Sequence, residues 1–495
     1  MSKSARTIGL IALIVAALAA LLWFLLPNRD RVDQPDELTF RMDSFAVNLF
    51  PPTLAEINSR RIGTLLHSPL VRMRDDGSLS AAVASAWVDN GLVWRFRIRP
   101  GARFSDGRPV TPADASASIC RSMQPGTSWA WSLASIAQTK QGSVVRCDGL
   151  TVAGDELIIR QTVDVPWFEQ AITGPAGWIL PADASARAPY GNVPGAGRYK
   201  VEAVVPDSHV LLTAVDPRAG LPPIRFRYIA DDSQAAALLR SGTLSSLYLQ
   251  SPLLKSAVGA GGNRYHLVTR SFDRVRVLII NERRLAHRGF SSDQIRIFRD
   301  ALDSGVDRQR LESISAGVAV GDARPLPIFG SLKRSPPPAS ATAALPATRL
   351  TVLSEPDSFS DQIAASLPSS VGPVRLEPRA LEKGALIGAL VEGNFDIVSI
   401  VLEATMHSPK FWSSFFEPEG AFVAFGMPIA GAGDIDFTQP DAVSRLDALL
   451  TARSNWVVLL REQRVDAVSD PLVGLAFTPS GQDDLAEVTL RPSTD

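Results

Sequence analysis

The sequence predicts a mixed α/β fold, on three observations. Leu92–Met123 has the pattern of a strand, two turns and a capped helix. From Arg349 onward, strand-like and helix-like segments alternate, which is typical of an α/β lobe. The chain has 495 residues, 45% apolar and 20% charged, so it can bury a large core, and its length favours about three domains or lobes.

The N-terminus predicts a membrane-spanning helix. Lys3 and Arg6 precede Ile8–Leu26, nineteen consecutive residues without a charge, and such a run can cross a bilayer core of about 30 Å. The run ends in Trp-Phe-Leu-Leu-Pro, without the small-x-small site of a cleaved signal, which favours an uncleaved signal anchor. We therefore expect an anchor over residues 1–27, a polar linker over 28–37, and a large body on the far side of the membrane.

The segment Leu92–Met123 contains the most complete local signals. Its apolar residues Trp94, Phe96 and Ile98 alternate with arginines, which is the period of a half-buried strand. The dipeptides Pro-Gly and Asp-Gly follow as turns. Thr111-Pro112-Ala113-Asp114 then supplies an N-cap hydroxyl, a proline at the first helical position and an acid at the third.

Other segments before residue 310 predict further strands and helices. Within Pro189–Lys200, Gly195 and Gly197 predict backbone at positive φ before the next strand. The remaining predictions are a strand at Leu38–Met42, helices at Leu54–Leu66 and Ser128–Ile136, hairpins over Leu150–Val163 and over Val201–Val205 with Val210–Ala214, a strand–helix unit in Ile224–Leu249, a strand over Val275–Asn281 and a helix after Phe290–Asp293.

The last third of the chain begins with a break in this pattern. Lys333–Ala347 is rich in Pro, Ala and Ser and predicts a loop or flexible excursion. After it we expect strands at Arg349–Leu353, Val374–Pro378 and Phe395–Val401, helices at Ser360–Leu367 and Leu381–Val391, closing helices at Asp441–Leu450 and Trp456–Val468, and a final strand at Leu472–Phe477.

Charge and motifs exclude several classes of function. The net charge is −1, from 50 basic and 51 acidic residues, and no basic run with interleaved aromatics suggests a nucleic-acid partner. The sequence has no Gly-x-Ser-x-Gly, no His-Glu-x-x-His and no Walker A motif. Its five histidines lack metal-ligand spacing, and its acidic pairs fall in predicted turns. We therefore expect no catalytic residue, metal or cofactor.

Two cysteines, Cys120 and Cys147, leave two alternatives open. In an exported chain an isolated pair can form a disulfide. They can equally be two buried thiols that act as small apolar side chains.

The order of these segments resembles the family 5 extracellular solute-binding proteins, which capture peptides or nickel complexes for ABC importers. Leu92–Met123 resembles the family's most recognisable segment. Pro189–Lys200 resembles its Gly-Thr-Gly-Pro-Tyr-like motif, although Arg198 stands where proline is usual. Ser241-Gly242-Thr243 and the run from Asn281 to Asp307-Arg308 resemble two later family patterns.

The resemblance implies a bilobal periplasmic-binding-protein-like fold of two mixed α/β lobes joined by a hinge. Lobe I would span residues 38–270 and receive a C-terminal return over 471–495, and lobe II would span 271–470. The implied function is capture of a peptide or peptide-like solute by hinge closure and its delivery to an ABC permease. An opine or a metal chelate is an alternative solute. The implied location is the periplasmic side of the bacterial inner membrane, or the periplasm if the signal is cleaved.

Departures from the family pattern concern the solute. The family has a glycine where this chain has Pro69 and a tyrosine near His67. Peptide-binding members carry an aspartate that pairs with the peptide's amine close to Thr405-Met406-His407-Ser408, where the nearest acid of this chain is Glu403. An unpaired buried ammonium would be costly, so conventional oligopeptide recognition is disfavoured.

The candidate ligand-binding residues come from both predicted lobes. Met406–Phe416 is rich in Trp and Phe and follows a buried strand, and α/β lobes place ligands at the carboxyl ends of strands. The candidates are Asn58, Ser59 and His67 from lobe I and His407, Phe411 and Trp412 from lobe II.

A membrane-tethered adaptor or sensory domain of the envelope is the alternative function. The uncleaved anchor, the missing aspartate and the Pro-rich excursion point toward it. A secreted hydrolase would need a nucleophile–base pair, and the sequence offers none that we can identify.

Overall fold

The computed structural model describes residues 37–491, apart from residues 46, 55, 75, 260–263, 357 and 418–427. The expected anchor (1–27) and all of the expected linker except Glu37 lie outside the described residues. Among the residues that are described, no helix is both long and apolar enough to cross a membrane.

The first half of the described chain is mainly strand. Its strands are β1 (Leu38–Met42), β2 (Val71–Met73), β3 (Leu79–Ala81), β4 (Ala84–Asp89), β5 (Val93–Ile98), β6 (Thr139–Gln141), β7 (Val144–Arg146), β8 (Leu150–Ala153), β9 (Glu156–Arg160), β10 (Tyr199–Val205), β11 (His209–Ala214), β12 (Ile224–Tyr228) and β13 (Ser246–Tyr248). Its helices are α1 (Ile57–Leu66), α2 (Pro112–Ser122), α3 (Phe168–Thr173), α4 (Asp232–Arg240) and α5 (Pro252–Val258).

The second half alternates strands and helices. Its strands are β14 (Tyr265–Ile280), β15 (Ala319–Gly321), β16 (Arg349–Ser354), β17 (Ser370–Val371), β18 (Val374–Ala380), β19 (Ile397–Glu403), β20 (Trp456–Ser469), β21 (Leu472–Val473), β22 (Ala476–Phe477), β23 (Asp483–Asp484) and β24 (Thr489–Leu490). Its helices are α6 (Glu282–His287), α7 (Ser292–Gly305), α8 (Arg308–Ile314), α9 (Ala339–Ala343), α10 (Ser358–Ala364), α11 (Lys383–Val391), α12 (Pro409–Ser413) and α13 (Ala442–Arg453).

A 12-stranded sheet runs through the molecule in the order β10-β11-β12-β1-β13-β20-β14-β19-β16-β18-β17, with β15 also paired to β20. The long strands β14 and β20 pair antiparallel from Tyr265↔Ser469 to Ile279↔Trp456. One end of β20 pairs with β13, whereas the opposite end of β14 pairs with β19. These two strands therefore join the two parts of the sheet.

The two parts of the sheet that β14 and β20 join belong to two lobes. We call the described residues up to 270, with those that follow β20, the first lobe and residues 271–455 the second lobe. Buried apolar side chains of residues 275–460 form two clusters. Those of residues 38–66 and 199–265 cluster separately, together with the C-terminal end of β20 and residues 472–488. Those of residues 70–179 form a further cluster, which also includes Met406. The exact lobe boundaries stay a prediction.

The capped helix and its preceding strand are confirmed. β5 alternates buried and exposed side chains, and β4, β5, β9 and β8 form a four-stranded sheet. Thr111 caps α2 through a capping box with Asp114. A disulfide joins Cys120 and Cys147, so the structure selects one of the two states that the sequence left open.

Three predictions of local structure are wrong. Trp456–Val468 is the strand β20 rather than a helix, because a central strand buried on both faces shows no alternation. Gly195 and Gly197 do not have positive φ. They lie so close to the end of α1 that a Cβ would stand 2.0 and 2.2 Å from its carbonyl oxygens. The excursion Lys333–Ala347 contains the short helix α9.

Candidate functional site

A cavity of about 480 Å³ lies between the two lobes. Its first-lobe wall includes the end of β1, the start of α1 and β13. Its second-lobe wall includes β14, α10, α11 and β19. The charged and polar side chains on the wall are Arg41, Asp43, Ser44, Glu56, Asn58, Arg61, Asp232, Ser246, Tyr248, Gln250, Ser251, Arg274, Arg276, Glu355, Ser399, Glu403 and Arg464. Pockets of this size accept small molecules.

The start of α1 is held in a fixed position on this wall. The Glu56 side chain caps the helix by accepting a hydrogen bond from the Ser59 backbone N–H at 2.8 Å. The Asn58 side chain donates to Asp43 Oδ1 at 3.0 Å, Ser44 Oγ at 3.3 Å and Glu56 Oε1 at 2.9 Å. Because these groups bond to one another, α1 presents a rigid polar surface to the cavity.

Two arginines enclose the Tyr248 ring at the centre of the sheet. The guanidinium of Arg464 lies 4.4 Å from the ring centroid, and that of Arg274 lies 5.6 Å from it. Arg464 also donates two hydrogen bonds to the Asp466 carboxylate, from Nε to Oδ2 at 2.6 Å and from Nη2 to Oδ1 at 2.9 Å. Burial disfavours the charge of Arg464, but ion pairing with Asp466 and Asp483 raises its pKa above the ordinary value.

The Tyr248 hydroxyl connects Arg274 to Glu462 through two hydrogen bonds. It donates to Glu462 Oε2 at 3.2 Å and accepts from Arg274 Nη1 at 3.1 Å. Burial raises the pKa of Tyr248, so the phenol stays protonated. The cavity therefore has a cationic and aromatic floor on β13, β14 and β20.

A second, smaller cavity of about 90 Å³ also borders α1. Ile57 and Arg61 line both cavities. Its wall is formed by Ile57, Arg60, Arg61, Thr64, Arg72, Met73, Gln170, Thr173, Gly174, Pro175, Trp178, Thr405, Ala476, Phe477, Thr478, Pro479, Ser480, Gln482, Asp483 and Asp484.

Direct contacts cross from one lobe to the other at both cavities. Arg60 Nη2 lies 2.9 Å from Glu403 Oε1. The Gln170 side chain accepts from the His407 backbone N–H at 2.9 Å and donates to its carbonyl oxygen at 3.2 Å. Gln482 Nε2 donates to the Ala404 carbonyl oxygen at 2.7 Å. These contacts hold the carboxyl end of β19 against the first lobe.

Of the three candidates in the first lobe, Asn58 lies on the wall of the larger cavity. Ser59 is buried, and its Oγ accepts from the Asn48 backbone N–H at 3.1 Å. His67 is buried with its ring 5.6 Å from that of Trp178 and its Nε2 3.3 Å from the Leu49 carbonyl oxygen. Burial lowers the pKa of His67 to about 4. Neither Ser59 nor His67 is among the residues that line the two cavities.

The three candidates in the second lobe lie together but away from both cavity walls. Phe411 and Trp412 are buried, and their rings lie 5.2 Å apart in an aromatic core that includes Phe415 and Trp456. His407 Nδ1 lies 2.6 Å from Asp273 Oδ2, and this hydrogen bond raises the pKa of His407. Contact of these six residues with a solute stays a prediction.

Sequence reasoning missed most of the charged cavity wall. Arg276 and Arg464 are buried within long strands, where charge is unusual, and Arg274 is partly buried in β14. Arg464 belongs to a segment whose sequence predicts a helix, so its neighbours across the sheet were not foreseeable. The available signal was Arg276, which lies between Val275 and Val277 in a segment that the sequence predicts to be a strand.

Comparisons with known proteins identify related chains. The family model "bacterial extracellular solute-binding proteins, family 5 middle" matches residues 78–341, more than half of the chain. The nickel-binding periplasmic protein of Escherichia coli is 32% identical over 93 residues, which are 18% of this chain and 17% of that protein. The HTH-type transcriptional regulator SgrR of Salmonella choleraesuis is 36% identical over 76 residues, 15% of this chain and 14% of that protein. The matched region thus spans less than a fifth of these relatives.

A solved structure extends the likeness to nearly the whole chain. The murein tripeptide binding protein MppA of Escherichia coli superposes with a TM-score of 0.74 at 18% identity, covering 92% of this chain and 99% of that protein. At this identity the likeness concerns the fold, which is a mixed α/β bilobal solute-binding fold.

Proposed function

Because the chain belongs to the bacterial extracellular solute-binding proteins of family 5, we propose that it captures a small solute between its lobes and delivers it to an ABC permease. The observation that carries the proposal is the cavity of about 480 Å³ whose wall is built by both lobes. A solute there would contact both lobes and so favour the closed arrangement over the open one.

The solute that we propose is a peptide or a peptide-like molecule. MppA is described as a murein tripeptide binding protein, and the nickel-binding protein of Escherichia coli represents the other solute class. The larger cavity offers acids that could receive an amine and arginines that could receive a carboxylate. Glu403 lines this cavity but pairs with Arg60, so an incoming amine would compete with that guanidinium.

We further propose that the protein acts on the periplasmic side of the inner membrane, tethered by residues 1–27. The apolar run Ile8–Leu26 supports the tether. The tether would keep the solute-binding lobes close to a permease. No catalytic step is part of this proposal.

Thermal unfolding and calorimetry of the purified full chain in detergent test the proposal. The panel contains di- and tripeptides, murein tripeptide, an opine and nickel–histidine complexes. We expect one class to raise Tm in a concentration-dependent manner, because a solute that binds the native state alone stabilises it by mass action. Absence of any response across the panel would contradict solute capture.

A second candidate is a sensory domain of the envelope that uses the same fold without transport. The match to the transcriptional regulator SgrR favours it, since that protein's name describes a regulator. Co-purification with permease subunits from the native membrane separates the two functions. Recovery of a permease supports transport, and solute binding without any permease supports sensing.

A further inference from the structure

A third cavity, of about 930 Å³, lies apart from the space between the lobes. Its described wall belongs to the first lobe and is formed mainly by the hairpin of β2 and β3, residues 99–103, residues 196–198 and residues between 476 and 487. We call this cavity the first-lobe groove. A groove of this volume accepts a small molecule.

The first-lobe groove lies where two hydrophobic cores of the first lobe meet. Val83 lines the groove and belongs to the core of residues 70–179. Asp484 and Glu487 line it too, and their neighbours Leu485 and Val488 belong to the core around β1. A ligand that contacts both walls would therefore link the two cores.

Guanidinium groups outnumber carboxylates on this wall. Among the described residues there are five of the former and three of the latter, namely Arg72, Arg74, Arg99, Arg103 and Arg198 against Asp76, Asp484 and Glu487. An excess of positive charge along a concave surface attracts anions.

Two of the three carboxylates already have a partner. Arg72 Nη1 lies 3.7 Å from Asp484 Oδ2, and Arg198 Nη1 lies 3.0 Å from Glu487 Oε2. In the described part of the chain, these are the ion pairs within 4.0 Å that the five arginines form. Carboxylates outside the wall therefore do not cancel its excess charge.

The third carboxylate, Asp76, lies in the turn between β2 and β3. Its Oδ1 accepts hydrogen bonds from the Ser78 backbone N–H at 2.9 Å and from the Ser78 hydroxyl at 2.6 Å. These bonds, with a contribution from the charge of Arg74, lower the pKa of Asp76. Asp76 is thus the acid that offsets Arg74, and the excess charge is that of Arg99 and Arg103.

Arg99 and Arg103 are open to solvent, on either side of a tight turn. Both residues are exposed, so a dissolved anion reaches them directly. The Ala102 backbone N–H donates to the Arg99 carbonyl oxygen at 3.1 Å, and Arg103 Nη1 donates to the Gly107 carbonyl oxygen at 2.8 Å. Each guanidinium keeps further N–H groups for an anion, and its planar fork matches a carboxylate.

We propose that the first-lobe groove is a second binding site, which takes a small molecule with two carboxylates through Arg99 and Arg103. Two separate guanidinium groups match two separate carboxylates better than they match one compact anion. Because the site lies within the first lobe, it does not rest on the proposed capture of a solute between the lobes.

Succinate is the probe for this site, and succinamide, of nearly the same shape, is its neutral control. Calorimetry and thermal unfolding of the full chain in detergent, at constant ionic strength with chloride as counter-ion, should show that succinate binds and raises Tm. Succinamide should do neither, and inorganic phosphate should bind more weakly than succinate. Equal responses to succinate and succinamide would overturn the site, and phosphate binding as tight as that of succinate would overturn the dicarboxylate class.

Variants of the two arginines locate the bound succinate. Arg99→Gln/Arg103→Gln should lower succinate affinity about tenfold or more, because two charge-assisted contacts are lost. Arg95→Gln/Arg160→Gln is the matched control, since it removes the same charge from exposed positions on β5 and β9 that do not line the groove. Equal affinities of the two double variants would overturn the proposal.

Glu487→Gln tests the site in the opposite direction. It removes a carboxylate from the wall and frees Arg198, so succinate affinity should rise severalfold. Loss of a merely structural contact would not increase affinity, and Glu487 is exposed enough for the variant to fold, with 65% of its side chain accessible. An unchanged or reduced affinity would contradict binding in the first-lobe groove.

Discussion

At the scale of single residues, His67 and His407 show how environment decides the role of a side chain. The sequence makes both of them candidates for ligand contact. His67 is enclosed by Trp178 and by the Leu49 carbonyl, and burial keeps its ring neutral. His407 is exposed, and its hydrogen bond to Asp273 favours the protonated ring. Histidine is therefore a neutral core residue at position 67 and a polar partner of Asp273 at position 407.

His67 predicts a loss of stability in acid. Its folded pKa of about 4 lies below the ordinary 6.5, so between these values the unfolded chain binds a proton that the folded chain does not. Stability should fall as pH decreases through this window, by about 3 kcal/mol at its lower end. His67→Phe keeps a ring against Trp178 and should remove this part of the pH dependence.

Urea unfolding of the wild type and of His67→Phe at several pH values between 7 and 4 measures the effect. Other titrating groups contribute equally to both chains and cancel in the difference. A difference in unfolding free energy that stays constant with pH would contradict the assignment of His67 as a buried neutral ring.

At the scale of elements, segments with complete local signals form as expected. α2 has its cap, its proline and its capping acid within four residues, and Val201–Val205 and Val210–Ala214 pair as a hairpin in β10 and β11. β20 departs from its helical prediction because its partners β13, β14 and β15 cover it on both edges and the core covers both faces.

The packing of Gly195 against α1 predicts a strong effect of a single methyl group. A Cβ at Gly195 would stand 2.0 Å from the Leu66 carbonyl oxygen and 2.5 Å from His67 Nδ1. Gly195→Ala should therefore destabilise the fold by about 2–4 kcal/mol through overpacking. Gly384 in α11 is exposed, and a Cβ added there would meet no atom within 4 Å, so Gly384→Ala should stabilise by about 0.5–1 kcal/mol.

Chemical denaturation of the two alanine variants measures this contrast. Gly195→Ala should lower the denaturation midpoint and Gly384→Ala should raise it. Similar midpoints for both variants would show that the loop after Pro194 can move away from α1.

At the scale of the whole molecule, β14 and β20 join the two lobes. Contacts at the carboxyl end of β19 hold the lobes against each other. The Gln170 side chain bonds to both backbone groups of His407. Such paired bonds stabilise the closed arrangement, because opening would return both groups to water.

Gln170→Leu should therefore favour the open arrangement. The lost bonds are worth about 1 kcal/mol, so solute affinity should fall about fivefold. Gln138→Leu is the matched control, since Gln138 bonds to Ala134 within the first lobe. Small-angle scattering of the unliganded chain should show a larger radius of gyration for Gln170→Leu, and equal radii and affinities for the two variants would contradict a closing role for Gln170.

The sequence by itself determined the family, the capped helix, the hairpins and the alternation of the second lobe, because each depends on neighbours within a few residues or on the order of motifs. Only the tertiary structure decided the site. Arg60 and Glu403 are 343 residues apart in the chain, yet their side chains meet between the lobes. The burial of Phe411 and Trp412 and the strand conformation of β20 likewise depend on partners brought together by the sheet, and no local pattern contains that information.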